Sequence, residues 1–237
     1  MKKEGSVGKM ATKKVKTVTG KAARTRAEAI AALLAARYPE AECALQYGGD
    51  PWKLLVMGRL SAQCTDARVN EVSIPLFEAF PTAAAMAAAR QEEVEAIIRP
   101  CGLFRTKARD LIAASRMLCE EYGGRLPDDM DALLRLPGVG RKIANLLLGD
   151  VYGQSRVLAD THCIRLAARF GFTPEECRDP LLTERTLAPL LTGVNASDFC
   201  HRIVLFGREV CSARAPQCDA CEIGAHNLCR YKEKCHG

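Results

Sequence analysis

Residues 136–142 read LPGVGRK. A proline and two glycines within seven residues cannot continue a helix, and both flanks carry helical signals, so any fold of this chain must contain a sharp helix–turn–helix corner here. Asp128 or Asp129 can cap a short helix through Leu134, and a second helix starts at Gly140 and runs to about Val151. Leu136 and Val139 are the residues expected to pack the turn onto a core. Two glycines leave amides 138–141 unshielded at the positive end of the second helix, where N–H groups and dipole together suit a phosphate.

A glycine-bearing corner between helices is common as plain architecture. The adjacent cations, Arg141 and Lys142, favour a DNA backbone as the occupant, a contact that positions a protein without reading sequence. Gly138, Gly140 and Arg141 are therefore candidate DNA-binding residues. Lys142 falls in the first helical turn, where the dipole disfavours an ammonium and favours the neutral amine. A neutral lysine is a nucleophile for an anomeric carbon or a carbonyl; the simpler alternative is one more phosphate contact.

Helical periodicity dominates the rest. Ile30, Leu33, Leu34 and Tyr38 share a face that Pro39 ends. Ala108, Leu111, Ile112, Ser115, Cys119 and Tyr122 form a longer stripe stopped by Gly123-Gly124. Asp160-Thr161 caps a helix ending at Gly171, and Asn195 caps a last long one with Phe199, Ile203, Phe206 and Val210 inward. Polar/apolar alternation is absent, so the fold class is all-α with short loops. The 237 residues suffice for one large or two modest domains. No run of 18 apolar residues occurs, which predicts no membrane association, and the N-terminus lacks the apolar core of a secretory signal.

Charge is uneven. Residues 1–26 carry nine Lys/Arg and one acid, a net +8, against +6 for the whole chain, so the remainder is mildly acidic. Residues 1–24 read as a disordered basic tail: a solubilising segment, a phosphate-seeking arm or an organelle or nuclear address in a eukaryote. With no export signal, a cytoplasmic or nucleoid protein is expected if the source is bacterial.

Twelve cysteines without an export signal argue against a disulfide framework. Eight are scattered, Cys235 among them, and read mostly as small core residues. The other four stand as Cys211-x6-Cys218-x2-Cys221-x7-Cys229. Such a group holds either a structural zinc or an iron–sulfur cluster, and spacing alone does not choose. Cys235 is an alternative fourth ligand to Cys229. Arg214, in the loop between the first two cysteines, is a further candidate for a DNA phosphate.

Five motifs occur in order: LSAQCTD (60–66), CGLFRTKA (101–108), LPGVGRKIAN (136–145), ADTHCIRL (159–166) and the four-cysteine loop. Together they resemble the endonuclease III family of DNA glycosylases, within the helix-hairpin-helix superfamily, over about residues 25–230. The resemblance implies two helical domains flanking a DNA-binding cleft, one continuous (50–160) and one discontinuous (25–49 plus 161–237). It moves the metal choice to a [4Fe–4S] cluster on Cys211, Cys218, Cys221 and Cys229. It places Lys142 as catalytic nucleophile and Asp160 as catalytic carboxylate. Gln63 and Leu103 would wedge into the duplex and fill the gap left by an extruded base.

Two departures carry expectations of their own. The last cysteine gap is two residues longer than the family's usual one, so the cluster loop is expected to bulge near Gly224. The 212–217 loop is less basic than usual, which leaves Arg214 alone. The implied activity is a bifunctional DNA glycosylase/AP lyase of base excision repair, acting as a monomer on damaged or abasic duplex DNA. It would remove oxidised pyrimidines through a Lys142 Schiff base and cut the strand by β-elimination. His162 is expected to be a structural hydrogen-bonder rather than a catalyst. The alternatives are a monofunctional adenine- or mismatch-type glycosylase, which normally lacks this lysine and carries a further C-terminal domain, a non-catalytic helix-hairpin-helix DNA binder, and an electron carrier.

Overall fold

A computed structural model describes residues 20–231; most of the predicted basic tail, and Cys235, lie outside them. Among the described residues the fold is all-helical, as expected, with no strand. The α-helices are α1 (Lys21–Arg37), α2 (Pro51–Leu60), α3 (Asp66–Ala79), α4 (Ala83–Ala87), α5 (Gln91–Ile98), α6 (Phe104–Glu121), α7 (Met130–Arg135), α8 (Arg141–Asp150), α9 (Thr161–Arg169), α10 (Pro180–Leu187), α11 (Ala196–Glu209) and α12 (Glu222–Ala225), with 3-10 turns at Arg99–Cys101 and Ala188–Leu190. No helix among the described residues is long and apolar enough to cross a membrane.

The predicted caps are where local chemistry put them. Asp129, Asp160 and Asn195 each cap their helices through side-chain oxygens that accept the amides of Ala132, Cys163 and Ser197, at 2.9, 2.7 and 2.9 Å. The tail boundary needs correction. α1 begins at Lys21, inside the stretch read as disordered, because Ala23 and Ala27 are buried on its inner face. An alanine face carries little hydropathy contrast, so the period was invisible in the sequence.

The helices pack in two sets. α4 and α5 pack on α6 and α3 packs on α5, while α7 and α2 lie against α8. At Gly58 α2 faces Ile143 and Leu146 of α8, in ordinary packing contact: a Cβ there would sit 3.4 Å from Ile143 Cγ2. In the second set α1, α9 and α11 pack together with α10, and α12 joins α1. α8 touches α11, so the helix that carries Lys142 also meets the second set.

Candidate active site

The corner at 136–140 is a β-turn. The Val139 amide donates to the Leu136 carbonyl at 3.0 Å, with Pro137 second and Gly138 third. Gly138 has φ +76°, the angle the third position of a type II turn requires, and proline suits the second position of that turn. Leu136 and Val139 are buried and hold the turn down, as expected. Beneath it lies the ion pair Arg59–Asp110 (2.8 Å), which the sequence reading missed. A Cβ on Gly138 would stand 2.6 Å from Arg59 Nε and 2.8 Å from Asp110 Cβ. Gly138→Ala therefore meets both a backbone strain and a collision. It is expected to cost about 1–3 kcal/mol, seen as a lowered melting temperature together with weaker duplex binding.

Gly140 is the N-cap of α8 and contributes no side-chain cap, with open space where a Cβ would be. The first-turn amides of α8 thus stay available, unlike those of α9 or α11. Arg141 is differently employed from the sequence expectation. Its Nε and Nη2 grip both oxygens of Glu184 on α10, at 3.0 and 2.5 Å. A phosphate contact from Arg141 requires that pair to open.

Lys142 is exposed in the first turn of α8, and no hydrogen bond or ion pair among the described residues engages its amine. Across from it stands Asp160, whose side chain is only 18% exposed. Asp160 accepts the Cys163 amide at 2.7 Å, and its other oxygen lies 3.5 Å from His162 Nδ1. Burial would raise the carboxyl. The His162 hydrogen bond, the Cys163 amide and the charge of Lys142 outweigh it and hold Asp160 below the usual aspartate value. The Lys142 charge acts on Asp160 without closing into a direct ion pair, so no salt bridge holds its nitrogen in place.

Asp160 is aimed by the extended run before it. Asn145, one turn beyond Lys142 on α8, donates from Nδ2 to the Val157 carbonyl at 3.1 Å. From α11, the Ser197 hydroxyl donates to the Arg156 carbonyl at 3.1 Å, and the Leu158 amide donates to Cys200 Sγ at 3.3 Å. Gly149 makes room: a Cβ would fall 2.2 Å from Ser197 Oγ.

Gln63 and Leu103 are both exposed, Leu103 at 55%. Both stand at positive φ, +55° and +49°, and the only other non-glycine residue so placed among the described ones is Asn227. A leucine there is strained and has no capping role, since Leu103 precedes α6 without a side-chain hydrogen bond.

The four cysteines line one shallow, apolar hollow with Phe170, Phe206, Val210 and Tyr231. Among the described residues no three His, Cys, Asp or Glu side chains converge as ligands of a single ion. Zn–S bonds of about 2.3 Å would draw four sulfurs to about 3.8 Å from one another. Four thiols on the wall of one apolar hollow are a donor set that a structural zinc or an iron–sulfur cluster could use. Arg169, buried on α9, donates from Nη1 to Cys211 Sγ at 3.1 Å and to the Cys211 and Ser212 carbonyls, and from Nη2 to the Ala213 carbonyl. The expected bulge near Gly224 is replaced by the single turn α12, with Gly224 buried; Asn227, at φ +55°, reverses the chain toward Cys229. Arg214 is exposed in the first cluster loop.

A capless hairpin end, an unengaged amine and a facing carboxylate define a DNA-repair protein of the helix-hairpin-helix class. Residues 56–191 match the HhH-GPD superfamily of base excision DNA repair proteins. The chain is 42% identical to endonuclease III of Synechocystis sp. over 207 residues, 87% of this chain and 92% of that one. Against endonuclease III of Bacillus subtilis it is 39% identical, covering 83% of this chain and 88% of that one. Two solved structures superpose with TM-scores of 0.83, at 37% and 38% identity: a trapped endonuclease III–DNA covalent intermediate (90% of this chain, 99% of that one) and a non-covalent endonuclease III–DNA complex (90% and 98%). The chain belongs to the endonuclease III family.

Proposed function

We propose that the chain is a bifunctional DNA glycosylase/AP lyase of base excision repair, acting on oxidised pyrimidines and abasic sites in duplex DNA. The observation that carries this reading is the unpaired amine of Lys142 facing the half-buried, ionised Asp160 beside an open helix end. The two helical sets are the two domains, and the duplex lies in the cleft between them. Phosphate sits on the hairpin amides, and the lesion is extruded, since a stacked base is out of reach. Gln63 and Leu103 enter the vacated space; their strained, exposed backbones support that role.

The neutral Lys142 amine attacks C1′, and the N-glycosidic bond breaks as the base leaves with a proton. Asp160 stabilises the positive charge that develops on the sugar. The sugar ring opens to an imine between Lys142 and C1′. Loss of a C2′ proton then expels the 3′ phosphate, and water releases the enzyme. A monofunctional glycosylase would need no amine at position 142. Borohydride reduction in the presence of duplex carrying an oxidised pyrimidine should trap a covalent protein–DNA adduct; absence of adduct and of strand cleavage would defeat the proposal.

The endonuclease III family carries a [4Fe–4S] cluster, and the hollow lined by Cys211, Cys218, Cys221 and Cys229 fits one. Bound there, it supplies covalent cross-linking of the C-terminal loop, since the reaction has no net electron transfer. Cys218→Ser is expected to remove the broad iron–sulfur absorbance and to loosen the loop, seen as raised protease sensitivity. A colourless protein with one equivalent of zinc would contradict the assignment.

A further inference from the structure

Lys107 is a charged side chain at 0% exposure, and the mechanism above does not use it. Its Nζ donates to three carbonyls: Leu60 at 2.8 Å, Ala62 at 2.8 Å and Cys101 at 2.9 Å. Three acceptors need three N–H donors, which an ammonium has and a neutral amine lacks. Burying a charge is costly unless it is fully hydrogen-bonded. A hydrocarbon at this position on α6 would fill the same space and leave those three carbonyls without their donor, so packing alone does not explain the lysine.

The acceptors do. Ala62 is the residue before Gln63, and Leu60 ends α2 just ahead of it. Cys101 closes the 3-10 turn two residues before Leu103. One ammonium therefore ties together the two loops whose next residues stand at φ +55° and +49°. Its own amide also donates to the Leu103 carbonyl, at 3.0 Å. Strained backbone persists only where its surroundings over-determine it. The side chains of Gln63 and Leu103 themselves project to solvent, so the restraint has to come from behind, and Lys107 is what stands there.

We infer that Lys107 is the positioning residue of the wedge: it fixes the Gln63 and Leu103 loops relative to one another so that both side chains enter the duplex as one pre-formed unit. The inference rests on the proposed wedge role of those two residues. Lys107 touches neither DNA nor the reacting atoms. Its loss should penalise base extrusion from a paired duplex, and spare the lyase step on a single-stranded abasic site, where nothing has to be wedged open.

The test compares the full-length protein with Lys107→Met, Lys107→Gln and the double variant Gln63→Ala/Leu103→Ala. Lys107→Met keeps the stem volume and removes every donor; Lys107→Gln keeps two donors. For each, excision of an oxidised pyrimidine from duplex is divided by β-elimination at an abasic site in a single strand. Lys107→Met is expected to lower that ratio about 30-fold, the scale of a partly lost extrusion step, with Lys107→Gln in between. Adding Lys107→Met to the double variant should lower it no further, because a residue acting only through the wedge has nothing left to position. An unchanged ratio in Lys107→Met while the double variant is impaired overturns the inference alone. An unimpaired double variant overturns the wedge reading beneath it. Loss of the cooperative melt in both Lys107 variants also overturns the inference, by making the residue a general requirement for folding.

Discussion

Lys142→Ala is expected to abolish the borohydride-trapped adduct and strand cleavage together, with residual activity at least about 10³-fold down, the scale of losing a nucleophile that works as a unit with its partners. The fold should be untouched. Lys142 is exposed and its amine holds no structural contact among the described residues, so a truncation there opens no cavity and leaves no group unsatisfied. The melting temperature should stay within about 1 °C of wild type, since surface substitutions away from special features cost little. Binding to undamaged duplex should fall only slightly, because the α8 amides and dipole remain. Persistence of the adduct in this variant would remove Lys142 from the mechanism and move the search to another amine.

Asp160→Asn should separate two jobs that one side chain performs. Asparagine caps a helix as well as aspartate does, so the bond to the Cys163 amide and the start of α9 should survive. The negative charge facing Lys142 does not survive. Excision is expected to fall about 10²–10⁴-fold while α9 stays folded. The pH dependence carries a sign. The folded Asp160 carboxyl titrates below its unfolded value, so its ionised form adds stability above about pH 4, and that addition is lost as pH falls through the depressed folded value. The melting-temperature difference between wild type and Asp160→Asn should thus be level from neutral pH to about pH 5 and shrink below pH 4. Activity loss matched by equal unfolding would reduce Asp160 to a cap.

Much of this site was legible because its signals are local. Caps at Asp129, Asp160 and Asn195 depend on one side chain and an amide two or three residues on, so a single sequence shows them. The hairpin turn follows from Pro137 and Gly138 alone. The helices α2 to α5 and α10 were not anticipated: α2 is buried nearly all round and so shows no stripe, α3 is interrupted at Pro75, and α4, α5 and α10 are short. One signal was present and passed over. Lys107 lies one helical turn before Leu111 on the stripe that buries Ala108, Ile112 and Ser115, and a lysine on an apolar stripe marks a buried charge with partners elsewhere.

The sequence by itself determined the capped starts of α7, α9 and α11, the hairpin and the grouping of four cysteines, since each is set by neighbours along the chain. Only tertiary structure decided that Arg141 is held by Glu184, 43 residues away, that Lys107 spans carbonyls 45 and 47 residues back, and that Gln63 and Leu103 share an unusual backbone angle. Contacts of that kind carry no local signature: a carbonyl offers the same acceptor whatever its residue, and a strained φ at a non-glycine position is imposed by what packs behind it.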